Sequence, residues 1–184
     1  MRIVSGKHRG RTLSAPKSQA IRPTADRLRE SLFNILTHSY GGPVEGARVL
    51  DLFAGTGALG LEAHSRGAAF VLFVDNGAEA RALLRNNVEA LGLGSVTKVY
   101  RRDATNLGPA HPMEPFALIF LDPPYGKGLA ERALTSARDG GWLAADALIV
   151  VEEAADAAFA PPEGFEEIER RDYGDTQLIF LKLR

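Results

Sequence analysis

The segment Val49-Leu50-Asp51-Leu52-Phe53-Ala54-Gly55-Thr56-Gly57 constrains the fold of this chain more than any other. A short apolar run ends in a carboxylate and then turns through glycines into a helix. Glycine permits the positive φ of such a turn and lets a ligand approach without a Cβ in the way. The rest of the chain repeats the alternation of strand and helix. Strands are expected at about 48–52, 70–75, 96–100, 116–121 and 146–151, and helices at about 58–66, 77–91 and 128–138. Val71-Leu72-Phe73-Val74 and Ala117-Leu118-Ile119-Phe120-Leu121 are continuously apolar, as in parallel strands covered on both faces. Residues 165–172 and 176–183 flank Tyr173-Gly174-Asp175 and read as an antiparallel hairpin, which brings the strands to seven. The expected architecture is a doubly wound, Rossmann-like α/β sheet.

The N-terminal region differs in character. Arg2-Ile3-Val4 and Arg11-Thr12-Leu13 flank Ser5-Gly6-Lys7-His8-Arg9-Gly10, which predicts a small β-hairpin with a basic tip. Pro16 to Pro23 reads as an extended linker. Thr24 is placed to cap a helix from about Ala25 to Leu36, with Leu28, Leu32, Ile35 and Leu36 on its apolar face and Tyr40-Gly41-Gly42-Pro43 ending it. The chain is therefore divided into a basic arm, 1–23, and a body, 24–184. The net charge of −1 conceals an asymmetry: residues 1–30 hold eight Lys/Arg against only Asp26 and Glu30. A basic arm on an acidic body points to a polyanionic partner, with Arg2, Lys7, His8, Arg9, Arg11, Arg27 and Arg29 as candidate contacts. There are no cysteines, which removes disulfides, thiolate metal sites and cysteine nucleophiles. Four histidines without a His-x-x-x-His pair give no expectation of a metal. No apolar run is long enough to span a membrane, and no apolar leader is seen, so a cytoplasmic location is expected.

In a doubly wound sheet, ligands bind at the carboxyl ends of the strands. Gly55-x-Gly57-x-x-Gly60 followed by Asp75 matches a dinucleotide fingerprint. Asp51 argues against that reading, because a carboxylate beside a pyrophosphate would repel it. It suits a ligand with a cationic amino group, such as S-adenosylmethionine. Asp75, with Asn76 beside it, would hold ribose hydroxyls, and Asp103-Ala104 after the third strand is placed to meet the adenine ring. Phe53, Ala54, Gly55, Thr56 and Gly57 would line the same pocket. Asp122-Pro123-Pro124-Tyr125 follows the fourth strand. Its prolines donate no N–H, so the Asp122 carboxylate and the Pro123 carbonyl present acceptors to an exocyclic amine. Tyr125 can stack on the face of a base splayed from its helix. Methylation at pyrimidine carbon 5 needs a cysteine nucleophile, so exocyclic nitrogen on guanine, adenine or cytosine remains.

With these segments in place, the chain resembles class I methyltransferases in Asp51 to Gly57 and Asp122 to Tyr125, and the RsmD family along nearly its whole length. The family likeness is carried by Arg2-Ile3-Val4-Ser5-Gly6 with Arg9-Gly10-Arg11, by Arg22-Pro23-Thr24 with Arg29-Glu30-Ser31-Leu32-Phe33-Asn34, and by Tyr173-Gly174-Asp175-Thr176. The resemblance implies a sheet with an antiparallel last strand, and a segment at Arg22, Pro23 and Thr24 that closes over the cofactor and helps to bind RNA. It implies methyl transfer to guanine N2 of small-subunit (16S) ribosomal RNA, naked or in the assembled subunit. Adenine-N6 methylation of RNA or DNA, a nicotinamide dehydrogenase, and a non-catalytic RNA-binding assembly factor are the rival expectations.

Overall fold

A computed structural model of the chain describes residues 1–17 and 25–184. Arg22, Pro23 and Thr24, expected near the cofactor and at the first helix cap, lie outside the described residues.

Seven strands form one sheet: β1 (Arg48–Leu52), β2 (Phe70–Val74), β3 (Thr97–Tyr100), β4 (Phe116–Leu121), β5 (Leu143–Ala154), β6 (Phe165–Tyr173) and β7 (Thr176–Leu183). Their spatial order is β3-β2-β1-β4-β5-β7-β6. Strands β1 to β5 pair in parallel, and β7 runs antiparallel between β5 and β6. The order reverses between β1 and β4, which creates the crevice where ligands bind in open α/β sheets. Strand positions sort onto two faces by the period-2 rule. Val49, Val71, Phe73, Leu118, Phe120 and Phe180 belong to one core cluster, and Leu50, Leu72, Val74, Ile119, Leu121 and Leu181 to the other.

The first face is covered by α1 (Asp26–Ser39), α2 (Ala58–Ser65) and α3 (Ala78–Ala90), and the second by α4 (Leu129–Asp139) with the 3₁₀ turn Ala104–Asn106. Helix α1 lies across β4 to β7, with Phe33 tilted against Phe120 at 5.7 Å and Tyr40 stacked on Phe180 at 5.0 Å between centroids. Its N-cap is Ala25, with no side-chain cap, and it runs three residues beyond the expected Leu36 to Ser39. Strand β5 is also longer than expected, 143–154 rather than 146–151, because β7 supplies a ladder to its acidic end: Glu152 pairs with Leu178 and Ala154 with Thr176. A polar Glu-Glu pair reads as the end of a strand when its partners, Leu178 and Gln177, are more than twenty residues away.

Helix α2 is buried along its whole length, although it contains Glu62, His64 and Ser65. The N-terminal arm supplies hydrogen bonds to Glu62 and Ser65 and covers His64 with the His8 ring. It forms a single antiparallel bridge, Arg2 to Thr12, inserts Ile3 and Leu13 into the first core, and lays its turn on α2. The Glu62 carboxylate accepts from the Val4 and Ser5 amides at 2.8 and 3.0 Å and from Arg66 Nε at 2.8 Å. Lys7 N–H reaches Ser65 O at 2.9 Å, and His8 N–H reaches Ser65 Oγ at 3.0 Å. Gly6 is required here: with φ at +87°, a Cβ would lie 1.9 Å from Ser65 O.

Arg29 completes this junction and corrects an expectation. Sequence reasoning placed it among the phosphate contacts, but it is fully buried. Its guanidinium donates to Asp26 Oδ1 at 2.8 Å and to the Arg2 carbonyl, and its Nε lies 3.5 Å from Glu62 Oε1. One turn of helix α1 carries Leu28 and Leu32 toward the core, and Arg29 goes in with them because Glu62 waits there. Substituting Arg29 by Leu takes one of two cations from the buried Glu62, leaving Arg66, and strips the donor from the Arg2 carbonyl, so a loss of about 1–3 kcal/mol in unfolding free energy is expected in denaturant titration. His8 is likewise turned inward. It is half-buried, its ring faces His64 at 6.3 Å, and burial followed by Lys7 and Arg11 pushes its pKa below the ordinary value. Burial thus disfavours the charged form that a phosphate contact would use.

Candidate active site

The glycine loop after β1 and the proline turn after β4 meet at the switch point. Leu52 is in register with Leu121, so Phe53 and Asp122 emerge side by side. A cavity of about 580 Å³ opens there, lined by Asp51, Phe53, Gly55, Thr56, Asp75, Asn76, Asp122 and Pro123. A second lobe of about 260 Å³ shares Phe53, Asp75, Asn76 and Pro124 with it and continues to Asp103, Ala104 and Arg132. A wider trough of about 700 Å³ lies between α4 and the 3₁₀ turn. None of Asp51, Asp75 or Asp122 reaches it, so size alone does not mark the chemical site.

Each acid on the strand ends has a distinct environment. Asp51 is completely buried and accepts from the Gly60 amide at 3.0 Å. Burial pushes its pKa well above the ordinary carboxylate value; the Gly60 N–H opposes that, and the nearby Asp75 charge adds to it. Gly60 has no room for a side chain, since a Cβ would fall 2.5 Å from the Phe73 ring and 2.7 Å from Val71. The third glycine of the apparent dinucleotide fingerprint is thus explained by helix–sheet packing. Asp75, at the end of β2, accepts from Gly55 N–H at 2.9 Å and from Gly77 N–H at 2.8 Å. One carboxylate therefore ties the glycine loop to the start of α3 and also lines the cavity, with acceptor capacity to spare. Asp103 caps the 3₁₀ turn, accepting from Thr105 N–H and Oγ1 at 2.9 and 2.7 Å, which lowers its pKa.

Phe53 has a φ of +57°, the only non-glycine residue among those described with positive φ. An aromatic residue held in the left-handed region costs about 1–2 kcal/mol. It sits between the two lobes, and nothing in the sequence signals the strain. Asn87 belongs to no motif in the sequence. It is buried on α3, donates to Thr56 O at 2.9 Å and accepts from Ser14 N–H at 2.7 Å, so it joins the arm to the glycine loop.

Asp122 is half-buried and its N–H points to Leu52 O at 3.5 Å. Pro123 is buried and Pro124 exposed. Tyr125 is half-buried outside the cofactor-sized cavity, and its hydroxyl is held by Glu152 and Thr176. Among the described residues no group of His, Asp or Glu is placed to hold a metal ion, and no helix is long and apolar enough to cross a membrane. Arg2, Lys7, Arg9, Arg11 and Arg27 are exposed.

The sheet order with its inserted antiparallel β7, and a cavity at the β1/β4 switch point between a glycine loop and an Asp-Pro-Pro turn, define a class I methyltransferase fold. Residues 1–182 match the family described as "Conserved hypothetical protein 95". Ribosomal RNA small subunit methyltransferase D of Escherichia coli is 41% identical over 152 residues, 83% of this chain and 74% of that protein. The Haemophilus influenzae protein of the same name is 34% identical over 176 residues, 95% of this chain and 89% of its own length. The solved structure of yhhF from Escherichia coli superposes with a TM-score of 0.83 at 33% identity, covering 100% of this chain and 97% of that one. The chain belongs to the RsmD family of methyltransferases.

Proposed function

We propose that this protein transfers a methyl group from S-adenosylmethionine to the exocyclic N2 amine of a guanine in small-subunit ribosomal RNA. The observation that carries this is the convergence of Asp51, Asp75 and Asp122-Pro123 on one cavity. The residues fit the cofactor chemically. Asp51 offers a buried anion to the amino group, Asp75 offers acceptors to the ribose diol, and the lobe from Phe53 to Ala104 receives the adenine. When bound, the cofactor supplies an electrophilic methyl group. The relatives named as ribosomal RNA small subunit methyltransferases support RNA as the acceptor.

The protein's part is orientation. The lone pair of an aryl amine is delocalised into the ring, which makes it a poor nucleophile. The Asp122 carboxylate and the Pro123 carbonyl accept its two N–H bonds and turn the lone pair toward the methyl group. Tyr125 stacks on the base. No strong base is required, because the amine loses its proton after transfer. Arg2, Lys7, Arg9, Arg11 and Arg27 contact phosphates and position the RNA.

The test uses labelled S-adenosylmethionine with unmethylated ribosomal RNA, naked and in assembled small subunits, followed by nucleoside mass spectrometry. N2-methylguanosine is the expected product. N6-methyladenosine would overturn the base assignment, and cofactor binding without transfer would favour an assembly factor. The arm makes a separate prediction: replacing Arg9 and Arg11 by Gln lowers RNA affinity and reduces the slope of log K against log salt by about 1–2, measured by filter binding at several salt concentrations.

A further inference from the structure

We propose that Glu152 and Thr176 are positioning residues that clamp the Tyr125 hydroxyl and so fix the angle at which its ring meets the target base. This rests on the reading above that Tyr125 stacks on that base. Leu121 is in register with Val151, so the turn from Asp122 to Gly126 wraps over the carboxyl end of β5. Two consecutive glutamates hold it there. Tyr125 O–H donates to Glu152 Oε1 at 3.2 Å, and Thr176 Oγ1 lies 3.0 Å from the same phenol oxygen. A phenol carries one proton, so with that proton on Glu152 the threonine hydroxyl is the donor to Tyr125. Gly126 N–H donates to Glu153 Oε1 at 3.0 Å, and Glu153 also accepts from Ala154 N–H at 2.9 Å. Glu152, Glu153 and Thr176 are all more than nine-tenths buried.

The position of Thr176 is set by long-range structure. It opens β7 opposite Ala154, and the Asp175 carbonyl accepts from Ala155 N–H at 2.8 Å. The tip of the C-terminal hairpin is thereby part of the active site, although it is far from Asp122 in sequence. The need for a clamp follows from what comes after Tyr125. Gly126 and Gly128 both have positive φ, at 72° and 67°, and this glycine-flanked turn gives little backbone restraint to the ring. Tying the hydroxyl to a buried carboxylate and a strand residue removes that freedom before the base arrives, which is preorganisation.

Thr176→Val keeps the shape and removes the hydroxyl. The expected result is a fall in kcat for methyl transfer of about tenfold, since a small misplacement of a reacting group is costly. The KM for RNA should move little, because affinity resides in phosphate contacts. Cofactor affinity should be unchanged, and Thr176→Ser should restore the rate. Tyr125→Phe, which keeps the ring, should show a comparable loss, and the double variant should be no worse than Tyr125→Phe alone. Losses that add in the double variant, or a wild-type kcat in either single variant, would overturn the clamp; Tyr125→Phe alone decides the matter if Thr176→Val does not fold. A merely structural role would lower the melting temperature and leave kcat per folded molecule untouched. The wild-type product separates the two levels: no N2-methylguanosine from wild type brings down the function and the clamp with it, whereas active wild type with unimpaired variants brings down the clamp alone.

Discussion

Asp122→Ala is expected to lower methyl transfer by about 10²–10³-fold while leaving the cofactor bound, which single-turnover kinetics with parallel calorimetry would measure. The reason is the division of labour in the crevice. Asp51 sits on β1 with an oxygen on the Gly60 amide of α2, and Asp75 just past β2 with its oxygens on the Gly55 and Gly77 amides, whereas Asp122 follows β4 on the far side of the switch point. It lines the same cavity, and in the proposed mechanism its work is on the amine. With alanine, one of the two acceptors is gone and the Pro123 carbonyl alone cannot turn both N–H bonds. Asp122→Asn keeps an acceptor oxygen and loses the charge, so a smaller loss than that of Asp122→Ala is expected. Wild-type turnover in Asp122→Ala would remove the proposed mechanism.

The parts of this site that were legible in the sequence are those fixed by short-range chemistry. The strand-to-glycine turn at Asp51 to Gly57 and the proline turn at Asp122 to Tyr125 declare themselves, because few other backbones tolerate those residues together. The five parallel strands were visible in the alternation of strand and helix, and β6 and β7 as the two arms of a hairpin. What was hidden depends on partners distant in the chain. Arg29 reads as a surface arginine until Glu62 is seen beneath it. Glu152 and Glu153 read as a strand end until β7 pairs with them and the loop after β4 hydrogen-bonds to both. Ser65 and His64 look like ordinary helix polar residues until the arm covers them. In each case a polar residue is buried because a segment more than twenty residues away covers it or supplies its hydrogen bonds, and one-dimensional pattern carries no record of that.

Asp51→Asn should weaken cofactor binding by about 10–100-fold and abolish its pH dependence, while leaving the free protein at least as stable as wild type near neutral pH. The asparagine keeps an oxygen for the Gly60 N–H but has no charge to bury. In wild type, burial holds the Asp51 pKa well above the ordinary value of 3.8. Between that value and the raised one, the folded protein binds a proton that the unfolded chain has released. Stability contributed by this group is therefore greatest at low pH and falls as pH rises through the window. A ligand with an ammonium group reverses the balance, because it is held by the ionised form. Cofactor affinity should thus increase as pH rises through the same window in wild type and stay flat in Asp51→Asn. Calorimetric titration of cofactor across pH, with denaturant unfolding at each pH, measures both sides of this linkage. Equal affinities and equal pH profiles in the two proteins would show that Asp51 serves only the Gly60 amide. A ligand bearing a pyrophosphate in place of the ammonium would respond in the opposite sense, gaining affinity when the carboxylate is removed, so the same variant also tests the choice between the two cofactor classes that the glycine pattern alone leaves open.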